Sequence, residues 1–263
     1  MLSLHEFALY LHIAVGSCAL LLFWVPMLTR KGALDHKRFG RYFAWAMYTV
    51  SFSGLLMSSL DFLFPLTIHA AGIELGPDEE AAAIRQVREA ALFLFSLSVL
   101  VLASTRHGWL TILHKDDRAP LRRPAHLVLN GLLVVIGASL LITGINGGTI
   151  LFMVFGGLQV ASGVGNLRYI YRETLRPKEW WLQHLGGLIG AGIGAYTAFT
   201  VFGGRRFFEE IFSSNFDSMA IFLWVGPSII GVTAITLMSR HYKKKFGGEW
   251  IVKRASVRSA LFG

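Results

Sequence analysis

The run Trp180–Gly204, WWLQHLGGLIGAGIGAYTAFTVFGG, contains one imidazole, His184, and no lysine, arginine, aspartate or glutamate. Roughly 20 uncharged residues are what one helix needs to cross the ~30 Å hydrocarbon layer of a bilayer. In lipid every backbone N–H and C=O must be paired within the segment, so such a run is restricted to a helix. Gly186, Gly190 and Gly194 recur every four residues and line one side of that helix. Removing side chains there lets a neighbouring helix approach closely, the small-xxx-small way of packing in lipid. His184 projects from a different sector, with Gly187, Ala191 and Ala195 stacked beyond it.

Six further apolar runs accompany it. The hydropathy pattern predicts spans over Phe7–Leu28, Tyr42–Pro65, Ala90–Leu113, His126–Ile145, Thr149–Asn166, Leu182–Phe202 and Phe216–Met238. Of 263 residues, 54% are hydrophobic and 16% charged, against about 25% charged in soluble domains. Little chain is left for a domain outside the membrane. The expected fold class is all-α: a polytopic integral membrane protein, one domain over 1–263, built as a bundle of seven transmembrane helices.

The net charge of +9 is not scattered. Apart from Arg85, Arg88, Arg106, Arg205 and Arg206, all 25 lysines and arginines fall in Thr29–Arg41, His114–Ala125, Leu167–Trp181 and Ser239–Gly263. These are alternate connections of the predicted bundle. The positive-inside rule then puts the N-terminus outside and a basic tail, about 239–263, in the cytoplasm. The expected location is a bacterial cytoplasmic (inner) membrane. The tail and loops meet anionic lipid headgroups, worth about 1 kcal/mol per charge near the surface. No soluble basic face exists for a nucleic-acid partner. Cys18 is the single cysteine and lies within the first span, so no intramolecular disulfide forms. The lead MLSLHE lacks the basic residues of a signal peptide, and none is expected.

Two stretches resemble the DUF2306 family of uncharacterised bacterial multi-pass membrane proteins. The first is His12-Ile13-Ala14-Val15-Gly16 with Ala19-Leu20, then Lys31-Gly32, His36-Lys37-Arg38, Gly40-Arg41 and Trp45-Ala46-Met47. The second is His184 with Gly190, Ala191 and Tyr196-Thr197-Ala198-Phe199. The family usually has a methionine and a serine shortly after that histidine, where this chain has Leu188 and Gly190. The resemblance covers Leu11–Ser59 and Trp180–Phe202 and implies a polytopic fold without supplying an activity.

Candidate chemistry follows from the histidines. His107, His126 and His184 come from three spans at their cytoplasmic ends, and helix bundles build cofactor sites from facing helices in this way. Two of these imidazoles could hold a haem b iron axially, the glycine and alanine sector above His184 leaving room for the macrocycle. Alternatively all three could hold zinc or copper with water in the fourth place. Either site points to redox or metal chemistry, although no HExxH or CxxC occurs. His36 and His114 lie in basic loops and read as interfacial residues that hydrogen-bond lipid phosphate or loop carbonyls. On the outer side, Asp61 is a carboxylate within a span, expensive in lipid and a functional candidate for that reason. Its depth matches that of His12, which predicts a His12–Asp61 hydrogen bond. Pro77 followed by Asp78, Glu79 and Glu80 predicts a helix running unbroken into the third span. GRRFFEEIFSSNFD reads as an interfacial helix. Two other classes remain open: a small-solute transporter or channel using Ser51, Ser53, Thr143, Gln159 and Ser162, and a membrane scaffold docking a protein partner through its basic loops.

Overall fold

The computed structural model describes residues 2–212 and 216–262, with side chains placed for all of these except 206, 212, 216–218 and 246–262. The fold is all-α, with no strand among the described residues, and seven helices are long and apolar enough to cross a membrane. They are α1 (Leu2–Leu28), α2 (Leu34–Leu63), α4 (Pro77–His114), α5 (Pro124–Gly147), α6 (Ile150–Tyr171), α7 (Glu179–Ala198) and α9 (Phe216–Phe262). Two short α-helices, α3 (Pro65–His69) and α8 (Arg205–Phe212), and a 3-10 turn over Ala119–Arg122 join them, and α7 ends in a π-turn over Phe199–Gly203. Large apolar side chains such as Leu21, Val135, Phe222 and Ile230 point outward in mid-span. That is stable only against acyl chains.

α4 is the axis of the bundle and packs against α2, α5, α6 and α7. Its start is encoded as the sequence suggests. Pro77 takes the first helical position, three carboxylates follow in the first turn, and Glu79 reaches back to accept the Gly76 N–H at 3.0 Å. The helix then runs to His114 without a break. Phe93, Leu97, Leu100, Leu133, Leu140 and Phe155 bury the α4–α5–α6 seam, while Phe43, Met47, Val101 and Ala191 join α2, α4 and α7.

Glycine sets how close the helices come. α5 and α6 meet so tightly that a Cβ on Gly156 would lie 2.5 Å from the Leu141 nitrogen and 2.7 Å from the Gly137 carbonyl. The turn between them closes at Gly148, whose φ of 67° is left-handed. On α7 the contact face is rotated from the predicted one. Gly186 has nothing near it and Gly190 makes ordinary contact with Ser104, whereas a Cβ on Gly187 would meet Ser104 O at 2.7 Å and Gly108 N at 2.8 Å. The side that touches α4 is Gly187, Ala191 and Gly194. Hydropathy is nearly uniform around this helix, so the four-residue glycine repeat could not fix its rotation.

Some boundaries differ from expectation. α1 begins at Leu2 rather than Phe7, and α3 forms where a loop was expected. α9 continues as a helix far beyond Met238. Of the predicted interfacial stretch, α8 is helical, with an Arg205–Glu209 pair at 2.6 Å, and residues 213–215 lie outside the described ones. The tail side chains beyond Lys245, expected at lipid headgroups, also lie outside them.

Candidate functional site

All basic connections emerge at one end of the bundle, called here the basic end. Four helices contribute to a hydrogen-bonded polar chain inside it. On α4, His107 is 1% exposed and on α5, His126 is fully buried. Their rings lie nearly parallel, 13° apart with centroids at 5.5 Å, and His107 Nδ1 is 3.3 Å from His126 Nε2. The other His107 nitrogen, Nε2, lies 3.1 Å from Gln183 Oε1 on α7. Beyond His126, Asn130 Nδ2 donates to the His126 carbonyl at 2.8 Å and lies 3.3 Å from its Nε2. Asn166 Nδ2 on α6 donates to Asn130 Oδ1 at 2.8 Å. The edge of Tyr169 seals the His107 ring from the side.

The role of each ring nitrogen depends on the tautomer, and the partners do not fix one. Gln183 Oε1 calls for a donor at His107 Nε2, which would make His126 Nε2 donate to His107 Nδ1, whereas Asn130 Nδ2 is itself a donor facing His126 Nε2. In either tautomer His126 Nδ1 is buried without any partner. A polar atom orphaned in so dry a place is costly.

His184 does not join this pair. It donates from Nδ1 to the Gly108 carbonyl at 2.9 Å and lines a separate cleft shared with Lys31 and His36. The expected convergence of His107, His126 and His184 is therefore corrected. No group of three or more histidine, cysteine, aspartate or glutamate side chains able to hold a metal ion exists among the described residues. A haem does not fit either. Axial metal–nitrogen bonds of about 2 Å on opposite faces would need imidazole nitrogens ~4 Å apart, and these are hydrogen-bonded to each other. The small-residue sector meant for the macrocycle is filled by the α4 backbone at Gly187 and by core packing at Ala191 and Ala195.

The cleft holding His184 has a volume of about 60 Å³, room for a few waters. Phe23, Phe43, Trp181 and Leu188 are among its walls. His36 makes the kind of backbone contact expected of it: its Nδ1 donates to the Pro26 carbonyl at 3.0 Å, and Lys31 Nζ donates to Pro26 O and Met27 O at 2.7 and 2.8 Å. The two side chains cap the open end of α1, which is why the loop folds inward. Burial pushes the Lys31 amine below its usual range. His36 and His184 are both fixed through Nδ1, which leaves Nε2 of each available to the cleft.

At the opposite end, Asp61 pairs with residues other than His12. His69, brought round by α3, donates to Asp61 Oδ1 at 2.9 Å. His5 Nε2 lies 3.0 Å from the same oxygen, off the line that a hydrogen bond needs. His12 instead pairs through Nδ1 with Ser53 Oγ at 2.9 Å. The cause is the early start of α1, which sets His5, one helical face-repeat above His12, level with Asp61. Asp61→Ala removes the shared acceptor and should cost roughly 1–3 kcal/mol. Hydrogen exchange should then speed up in 65–69 and at the start of α1 while α5 and α6 stay protected. Unchanged protection of 65–69 would show that the cluster does not hold α3 in place.

No protein-family model, curated protein or solved structure matches this chain.

Proposed function

We propose that this multi-pass membrane protein moves protons through its basic-end half, with the His107–His126 pair as the relay. The observation that carries this reading is the buried, unpartnered Nδ1 of His126 at the end of a buried hydrogen-bonded chain. In the tautomer with both protons on Nε2, a proton added at His126 Nδ1 lets His126 release its Nε2 proton to His107 Nδ1. His107 then gives up its Nε2 proton to water beside Gln183, a half-buried residue at the basic end. Each imidazole gains a proton on one nitrogen and loses one from the other, so charge and atoms balance. Coupling to a small solute belongs to the same reading, because the Lys31–His36–His184 cleft opens at the same end and offers one amine and two Nε2 atoms. The resemblance to DUF2306 proteins fits this division: Lys31, His36 and His184, from its two separate stretches, meet in that cleft. With the geometry given above, haem and metal chemistry has no support from these residues.

The test is proton flux. Protein in liposomes with an internal pH dye, driven by a potassium diffusion potential, should acidify or alkalinise the lumen. His126→Gln keeps a partner for His107 near the old Nε2 position but has no atom at Nδ1. It should fold and lose flux roughly tenfold or more. Wild-type protein without flux, or the glutamine variant at full rate, would sink the proposal.

A further inference from the structure

A second cavity, independent of the histidine pair, opens between α2, α4 and α5. It measures about 560 Å³ and is walled by Trp45, Tyr48, Phe52, Trp109 and Leu129, with Arg106 among its lining residues. Trp45 and Phe52 are 65% and 60% exposed, and in a membrane-spanning segment that exposure faces lipid. Arg106 is the one lysine or arginine lying inside a predicted span. Its Nε is buried with no hydrogen-bond partner, and it forms none of the ion pairs found among the described residues. A guanidinium at this depth is costly unless an anion or water answers it. Among the described residues no groove-lining side chain is acidic, which leaves the guanidinium open to a counter-charge from the leaflet.

We propose that this groove binds one anionic phospholipid of the leaflet at the basic end, its phosphate on Arg106 and an acyl chain along Phe52, Leu102 and Leu129. Arg106 lies eight residues before the end of α4 at His114, about 12 Å along the axis. Its long stem lets the charge rise from there toward the headgroup level. A guanidinium pairs with phosphate oxygens through two N–H groups at once. The indole and phenol groups of Trp45, Trp109 and Tyr48 suit the boundary between glycerol and acyl chain. A zwitterionic headgroup fits less well, because its ammonium finds no carboxylate in the groove. Arg106 also precedes His107 directly, and its charge reaches His126 and Tyr48. Occupancy of the groove therefore alters the field at the histidine pair.

Brominated lipids read this site directly, since bromine quenches tryptophan on contact. Protein is reconstituted in phosphatidylcholine vesicles carrying a few mole per cent of lipid brominated in its acyl chains, either phosphatidylglycerol or phosphatidylcholine. The signal from Trp45 and Trp109 is isolated by subtracting the W45F/W109F double variant. Brominated phosphatidylglycerol should quench that signal several-fold more per mole than brominated phosphatidylcholine. Arg106→Gln should bring the ratio to one, while Arg106→Lys should keep part of the preference. A ratio of one in the wild type, or a preference that survives Arg106→Gln, overturns the assignment. If the glutamine variant does not fold, native mass spectrometry of delipidated wild-type protein decides: retained phosphatidylglycerol supports the site and equal retention of both lipids refutes it.

Discussion

Gly187→Ala should lower the thermal unfolding temperature of the detergent-solubilised protein more than other single-methyl additions on α7. The new Cβ would lie 2.7 Å from Ser104 O and 2.8 Å from Gly108 N, and both are backbone atoms within a rigid helix. No side chain can rotate away, so α4 and α7 must move apart. Overpacking of this kind costs about 1–3 kcal/mol. Separation also stretches the two hydrogen bonds that flank the contact, Gln183 to His107 and His184 to the Gly108 carbonyl. Proton flux should therefore fall along with stability. Gly186→Ala is the control. Nothing lies within 4 Å of a Cβ there, and replacing a mid-helix glycine should gain roughly 0.5–1 kcal/mol. Equal melting of the two variants would mean that α7 does not pack through Gly187.

His126→Leu should separate the structural role of the histidine pair from its role in proton transfer. Leucine fills the volume but offers no hydrogen-bonding partner to His107 Nδ1, which is left unpaired in a buried position. The expected cost is about 1–3 kcal/mol, read as a lower unfolding midpoint, together with lost flux. His126→Gln should recover most of the stability and none of the flux. If leucine proves as stable as wild type, the pair does not hold α4 to α5. If glutamine restores flux, the bare Nδ1 is irrelevant to transport.

The fold was largely legible because apolar runs of spanning length and the alternation of basic loops are strong, redundant signals. The continuity of α4 was legible too, since Pro77 and the acidic first turn leave one way for the chain to start. The site was legible only in part. His107 and His126 were singled out, and the structure brings them together. Three features were lost for physical reasons. The rotation of α7 about its axis is invisible to hydropathy when most of its residues are small or apolar, so His184 was expected beside His107, where Gln183 stands instead. The particular acceptor of His36 is the open carbonyl of Pro26, a backbone atom that no side-chain pattern displays. The partner of Asp61 depended on where α1 begins, and the polar lead before Phe7 obscured that start. Gln183, Asn130 and Asn166 carried a faint signal: Asn130 lies one turn beyond His126, and Gln183 is the neighbour of the histidine that drew attention.

The 38 residues of α4 span about 57 Å, nearly twice the ~30 Å of hydrocarbon they cross. The acidic turn at Pro77 and the ring of His107 are thus carried on one stiff rod. Tilting the overhang on the far side would shift His107 against His126, so on the proposed reading a contact made outside is felt at the histidine pair through the helix alone.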